Sequence, residues 1–431
     1  MKVLGLFFFL GLMNVLHCQI KSGPMLGYNT MKEVLVWIQT EEPAVVEMMY
    51  YSTSEHKAKI YKTKVESKED GGNTAHIVAE NLEPGTTYKY LISIGENKNI
   101  AEGTFTTQSL WQHREEPPVF SFATGSCAYI NQKKYDRPGE GYGSGYEIFE
   151  NIASTDAEFM LWLGDNIYLR EPDWSSKSGI YQRYSHFKSL AELQNLWGNM
   201  HHYAIWDDHD FGPNDADRSF INKEITLQAF KDFWGNQAYG VDEEKGITHQ
   251  FSYNDLDFFL LDNRYHRSPN KRKTGDREIL GSEQIEWLID GLVNSKATFK
   301  IVAIGGQFLS PAAVHENYAT FNEERLKVIK LIEKEEIKNI VFLTGDRHKT
   351  ELTKMELSNG NVIYDYTCSP LTSKAYDTND EGNTLRLEGT HVSTQNFGLL
   401  DLKGSFEDRI LTIQTFDSSG KLLWKKEIKK Q

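Results

Sequence analysis

The sequence predicts an α/β domain preceded by a small all-β sandwich. Three observations lead there. Residues 20–108 hold short runs rich in β-branched and aromatic residues, with turn formers between them. From residue 119 onward, strand-like runs alternate with segments of helical period. Three of those later strands run into clusters of Asp, His and Tyr. Ligand sites in α/β layers gather where strands end, so the three clusters point to one site.

Length and charge bound the reading. A chain of 431 residues accommodates two or three domains at roughly 100–200 residues each. A formal net charge of -14 argues against a nucleic-acid backbone as the main partner. A small phosphorylated substrate stays compatible, because a local cation site overrides net charge. At the start, Lys2 precedes the apolar stretch Val3–Met13, then the more polar His17, Cys18 and Gln19. This reads as a secretion signal over residues 1–19, too short to span a bilayer comfortably. Cys18 as a lipid-bearing first residue is the second choice, since His17 is a poor fit to the small residue such a site needs. No later stretch looks transmembrane. Cys127 and Cys368 remain for the mature chain, as one disulfide or two buried thiols.

The β-rich module comes first. Leu35–Ile38, Val45–Tyr51 and His76–Val78 read as strands, with Asp70-Gly71-Gly72-Asn73 as a turn. Leu82-Glu83-Pro84-Gly85-Thr86-Thr87-Tyr88 resembles the corner of a fibronectin type III-like sandwich, with Tyr88 as the corner tyrosine. Gly103–Thr107 closes the module, whose expected role is packing or positioning. Residues 109–118, ending Glu115-Glu116-Pro117-Pro118, read as a linker.

Residues 119–431 are expected to form the catalytic domain. Val119–Thr124 is a strand that runs through Gly125-Ser126 into Cys127. Phe159–Leu163 runs into Gly164, Asp165 and Tyr168. Tyr203–Trp206 leads into Asp207-Asp208-His209-Asp210, and Ile340–Thr344 into Gly345-Asp346-Arg347-His348. Helical period covers Tyr181–Trp197, Ile225–Trp234, Glu283–Leu292 and Glu323–Ile332. Phe299–Ile304 is a further strand. Val362–Tyr366, Phe397–Leu402, Leu411–Phe416 and Leu422–Trp424 make the end of the chain mostly β.

Oxygen-rich strand ends with few histidines favour hard cations such as Fe³⁺, Ca²⁺, Mg²⁺ or Mn²⁺. Asp165 and Asp346 are the leading carboxylates, and a Tyr168 phenolate or a Cys127 thiolate would suit a ferric ion. Each feature alone is weak, because Gly-Asp is ordinary turn chemistry and a lone Tyr usually packs. The order of the motifs is stronger: Gly125-Ser126-Cys127, Gly164-Asp165 with Tyr168, Trp206–Asp210 with Asn214, Leu261-Asp262 with Arg264, and Gly345–His348. Leu280-Gly281 with Gln284 and Trp287-Leu288 stands between the last two. This series resembles the PhoD-type alkaline phosphatases of the metallophosphoesterase superfamily.

That resemblance implies two sheets flanked by helices, a four-layer α-β-β-α sandwich. It implies hydrolysis of phosphate monoesters and diesters by a hydroxide activated at a ferric ion with calcium, with Mn²⁺, Mg²⁺ or Zn²⁺ as other occupants. Cys127, Asp165 and Tyr168 match the family's metal-ligand motifs, with Asp165 bridging. Asp208, Asn214, Asp346 and His348 match positions around the same cluster. Asp207 and Asp210 are expected behind the ligands, orienting His209. In the wider group a His at the place of His209 assists the leaving group, so His209 is the expected general acid or phosphoryl-oxygen donor. Arg347, between two candidate ligands, is the expected phosphate clamp. Arg264 is either a substrate contact or a structural ion pair. Two departures stand out. The leader lacks twin arginines, and Gly305-Gly306-Gln307 occupies a place where a more polar segment with Asn is expected. A phosphodiesterase of cell-wall polymer, phospholipid headgroup or nucleic acid is the near alternative, and a surface binding protein with a degenerate enzyme domain the distant one.

Overall fold

The computed structural model describes residues 19–54, 59–241 and 245–431. The leader and Cys18 lie outside the described residues. The first seven strands are β1 (Ile20–Asn29), β2 (Val34–Thr40), β3 (Ala44–Ser52), β4 (Tyr61–Ser67), β5 (Thr74–Ala79), β6 (Thr87–Ile94) and β7 (Asn97–Thr106). They divide into β1-β2-β5 and β4-β3-β6-β7, the two faces of a sandwich. Val36, Ile38, Met48, Ile77, Tyr90 and Ile92 fill its core. β3 alternates between buried and half-buried residues, as a strand covered on one face should. The Tyr88 ring is buried, and its hydroxyl accepts the Glu83 N–H at 2.9 Å, which makes the corner foreseen from sequence.

The rest of the chain alternates as expected. It runs β8 (Phe120–Gly125), α1 (Glu147–Ala153), β9 (Phe159–Leu163), α2 (Lys177–Lys188), α3 (Ala191–Asn199), β10 (His201–Ile205), α4 (Asp208–Phe211) and α5 (Lys223–Phe233). Then come β11 (His249–Tyr253), β12 (Leu256–Leu260), α6 (Ser282–Asn294), β13 (Phe299–Ile304), α7 (Asn322–Lys334), β14 (Ile340–Thr344), β15 (Glu351–Glu356) and β16 (Val362–Thr367). Three antiparallel strands finish it: β17 (Asn396–Lys403), β18 (Ile410–Asp417) and β19 (Leu422–Lys429).

Two sheets face each other. One has the order β19-β18-β17-β8-β9-β10-β1-β2-β5, the other β11-β12-β13-β14-β16-β15. Strand alternation sends Phe159 inward, where it meets Phe258 of the opposite sheet at 5.5 Å, and Trp162 outward, where it meets Trp197 of α3 at 5.6 Å. On the far side, α6 and α7 cover the second sheet through Leu288, Leu292, Val328 and Ile332. Helix, sheet, sheet and helix make the four layers.

Two features depart from the sequence reading. The helical period over 181–197 is two helices. The Lys188 carbonyl at the break accepts from Gln194 Nε2 at 2.8 Å, from Trp197 Nε1 at 3.1 Å and from Ser22 Oγ, so side chains replace the helical ladder there. The N-terminal module also shares a sheet with its neighbour: β1 pairs parallel to β10, with Leu26 opposite His201. That explains why all of β2 is buried. Val34, Val36 and Ile38 face the sandwich core, while Leu35 and Trp37 join the large core beyond. Among the described residues no helix is long and apolar enough to cross a membrane.

The corner hydrogen bond has a measurable worth. Tyr88→Phe leaves the Glu83 N–H without this acceptor and is expected to cost about 1 kcal/mol of stability. The readout is a lower urea midpoint with an unchanged slope, and an unchanged midpoint would show the corner contributes nothing.

Candidate metal centre and active site

Parallel register brings the strand ends together. Gly125 lies opposite Trp162, Leu163 opposite Ile205, and Ile304 opposite Thr344. The residues that follow β8, β9, β10 and β14 therefore leave the sheets at one edge of the sandwich. There the backbone turns sharply. Cys127 (φ 60°), Asp165 (φ 51°), Asp346 (φ 66°) and His348 (φ 52°) all take the left-handed conformation, which L-residues adopt at a cost of about 1–2 kcal/mol each. Two glycines make room. A Cβ on Gly164 (φ +90°) would sit 2.7 Å from Asp207 Cβ, and one on Gly305 would sit 2.5 Å from Asp207 Cγ.

One half of the site is thiol, phenol and imidazole. Cys127, Asp165 and His348 each offer a ligand atom, all within 4.8 Å of one another and all buried. The Cys127 thiol points at Asp165 Oδ2 at 3.6 Å and receives the Ser369 hydroxyl at 3.2 Å. Cys127 and Cys368 are both free, so no disulfide competes for the sulfur. The Tyr168 hydroxyl lies 3.2 Å from His348 Nε2. His348 Nδ1 is 2.6 Å from the Lys374 carbonyl, which can only accept. The ring proton therefore sits on Nδ1, and Nε2 presents its lone pair to the cluster. Burial, then the Asp346 charge, pushes the Cys127 thiol up to about 12 without a cation, and burial likewise raises the Tyr168 phenol. A metal ion supplies the charge that reverses both shifts.

The other half is carboxylate. Asp207 and Asp208, both buried, and the half-buried Asp346 form a second triad within 4.8 Å, and Asp165, Asp208 and His209 a third that joins the halves. Burial raises Asp346 to about 8, with Asp207 next among the causes. Burial raises Asp165 too, followed by Asp208. Asp207 Oδ2 and Asp208 Oδ1 are buried without a hydrogen-bond partner. Orphaned carboxylate oxygens in a crowded acidic pocket, beside a thiol, a phenol and an imidazole lone pair, make a donor set that hard cations would fit.

Hydrogen bonds lace the two loops. His209 N–H donates to Asp165 Oδ1 at 3.2 Å, and Leu169 N–H to the His209 carbonyl at 3.1 Å. Asp210 accepts the N–H groups of Asn166 (3.1 Å), Ile167 (3.3 Å) and Asp207 (2.9 Å). The pair expected to orient His209 thus does something else. Asp210 ties backbone, and Asp207 Oδ1 accepts from Asn263 Nδ2 at 2.8 Å and from Arg264. The His209 ring lies on Tyr168 at 4.3 Å between centroids, and its Nδ1 is buried without a partner.

Both expected substrate arginines are already occupied. Arg264 is fully buried and salt-bridges Asp207 and Glu316, so it is the structural ion pair of the two readings. Burial pushes Glu316 up, but Arg264 and Arg267 outweigh it and hold the carboxyl down to about 2. Arg347 Nη2 donates to both oxygens of Glu381, at 2.6 and 2.8 Å, and Lys349 reaches the same carboxylate at 2.7 Å. Asn214 is exposed on the wall of a cleft of about 570 Å³, beside Tyr168 and His209. Tyr142 and Trp174 also line this cleft. Sequence reasoning missed Ser369, Glu316, Glu381 and Tyr376, which carry no motif and reach the site through loops.

The comparisons agree with this geometry. The model of the PhoD-like phosphatase family matches residues 122–407, and that of a domain of unknown function (DUF7800) matches residues 17–109. Alkaline phosphatase D of Bacillus subtilis (strain 168) is 25% identical over 369 residues. The match spans 74% of this chain and 60% of that relative's length. Among solved structures, that of PhoD is similar with a TM-score of 0.75 at 17% identity, over 94% of this chain and 91% of its own. The purple acid phosphatase PPD1 from yellow lupin (Lupinus luteus) seeds has a TM-score of 0.69 at 12% identity, over 94% of this chain and 74% of its own. At such identities the two structures speak for the fold alone. The family model covers more than half of the chain, on the strands that carry the buried cluster, and the chain belongs to the PhoD-like phosphatase family.

Proposed function

We propose that the chain is an exported, metal-dependent phosphatase that hydrolyses small phosphate monoesters or diesters. The observation that carries this reading is the convergence of Cys127, Asp165, Tyr168, Asp207, Asp208, Asp346 and His348, in overlapping groups, at one edge of two sheets. The thiol, phenol and imidazole side suits Fe³⁺, and the carboxylate side suits Ca²⁺ or another hard divalent ion. When bound, such ions offset charge on the phosphoryl oxygens and make water acidic enough to attack at moderate pH.

The chain's own residues do the rest. Tyr168 and His209 stand together on the cleft wall, so a bound ester meets the imidazole on its way to the cluster. Burial, then Arg170, lowers His209 to about 3 without cations, so with no anion bound the ring is neutral and offers its N–H to a phosphoryl oxygen. The negative charge of a bound phosphate favours the imidazolium, the form that hands a proton to the leaving oxygen. Asp210 and Arg264 hold the Asp165 and Asp207 loops in place as charge builds.

His209→Ala is expected to keep its metals and lose about 10²–10⁴-fold in turnover. The loss should be largest for alkoxide leaving groups and mild for p-nitrophenolate. Loss of metal from this variant, with rate restored by adding it back, would make His209 a ligand instead.

Phenolate or thiolate on Fe³⁺ absorbs visible light, so the purified protein is expected to be coloured. Tyr168→Phe should bleach or shift the band, read by absorbance and metal analysis. A fully active, iron-free protein removes the ferric assignment.

Export rests on the Lys2-led apolar stretch. Released protein is expected to start near residue 19 by N-terminal sequencing. Finding Met1 on it would count against cleavage, and a lipid on Cys18 would favour anchoring.

A further inference from the structure

Arg170 is a buried cation to which the account above gives no contact with substrate. It follows β9 by seven residues and lines the cleft beside Tyr168 and His209. Only 8% of it is exposed. A guanidinium taken that far out of water normally sits against a carboxylate, because its desolvation is costly. Here no carboxylate pairs with it among the described residues. Its Nε donates to the Tyr129 hydroxyl at 3.2 Å, and that hydroxyl donates to Asp136 at 2.7 Å. Its Cζ lies over the rings of Tyr129 and Tyr168, 4.7 and 5.4 Å from their centroids. The two Nη groups donate to no protein atom among the described residues, and neither is sealed away from the cleft.

The other arginines around the site differ. Arg137 lines the same cleft but pairs with Glu171 at 3.0 Å. Arg347 is held by Glu381, and Arg264 by Asp207 and Glu316. Arg170 is also rigid, since its backbone N–H donates to Asp173 Oδ2 at 2.8 Å and Asp173 is itself clamped by Arg183 at 2.9 Å. Cation–π contact with two rings and a fixed backbone thus hold a fork of donors beside the cluster. That is the geometry arginine uses to take a phosphate oxyanion in two parallel hydrogen bonds.

Resting on the phosphatase reading, we infer that Arg170 is the residue that binds an oxyanion of the phosphate ester, the role sequence alone gave to Arg347. Substrate or product supplies the counter-charge the fold withholds. The two phenol rings hold the guanidinium in place without neutralising it, as a carboxylate would. Dianionic monoesters gain more from the site than monoanionic diesters.

The test uses the full metal-loaded chain, with p-nitrophenyl phosphate, its bis ester and inorganic phosphate as probes. Loss of a charge-assisted bidentate contact in Arg170→Ala is expected to raise the phosphate Ki and the monoester KM by about 10- to 100-fold. The effect on the diester should be several-fold smaller, with metal content unchanged. Arg170→Lys keeps the charge and loses the fork, so it should recover only part of the affinity. If pyrophosphate binding weakens while phosphate binding does not, the oxyanion belongs to an anionic leaving group, and Arg170 still binds it. Unchanged Ki and KM for every anion in both variants, with the wild type active, would overturn the inference. A wild type inactive on every ester while still binding phosphate through Arg170 would overturn the phosphatase reading instead.

Discussion

The whole upper edge of the molecule answers to one constraint, the crowding of buried carboxylates. Asp165, Asp207 and Asp208, all buried, and the half-buried Asp346 approach one another in overlapping groups. Two like charges about 4 Å apart repel by about 4 kcal/mol even at an effective dielectric of 20. Four residues in left-handed backbone add to the cost. A fold keeps such an arrangement only when cations complete it and the surrounding layers hold it. The core between the two sheets, and the helices outside them, supply that hold.

Support beneath the site is itself ionic, and divided by task. Asp210 gathers three backbone N–H groups and joins the β9 and β10 loops, so its position is set by main chain. Arg264 sits under Asp207 and is balanced on its other side by Glu316, which also pairs with Arg267. A fully buried guanidinium between two carboxylates keeps one oxygen of Asp207 occupied and leaves the other free for the cluster. Breaking such a network leaves an unpaired buried charge, so Arg264 belongs to the foundation of the site. Arg170, in cation–π contact with two phenols, instead lines the cleft.

The N-terminal sandwich is fused to this foundation. Its β1 extends the sheet that carries β8, β9 and β10, and β2 buries one face in each core. Lys188 marks the seam. Its ammonium lies 3.4 Å from the Trp234 ring centroid and 4.2 Å from that of Trp197, with Trp37 of β2 nearby at 5.4 Å. Burial drives its proton affinity down, and aromatic faces stand in for the missing acid. The module therefore braces β10, the strand that delivers Asp207, Asp208 and His209.

The sequence by itself determined the layers and the donors. Alternation and helical period identify β9, β10, β14 and their helices, because a strand or helix buried on a known face must repeat its apolar residues at the period of its backbone. Tyr88 was legible for the same local reason, since its partner is five residues away. Cys127, Asp165, Tyr168, Asp346 and His348 were legible because each stands just beyond an apolar strand. Tertiary structure alone decided what each charge touches. Whether Arg347 is free depends on Glu381, far along the chain, and the state of Arg264 depends on Glu316. The break at Lys188 is held by Gln194 and Trp197 of the next helix and by Ser22, across the module boundary. Electrostatic partners act through space over a few ångströms and leave no period in the sequence, so the loops that bring them together settle which arginine meets the substrate.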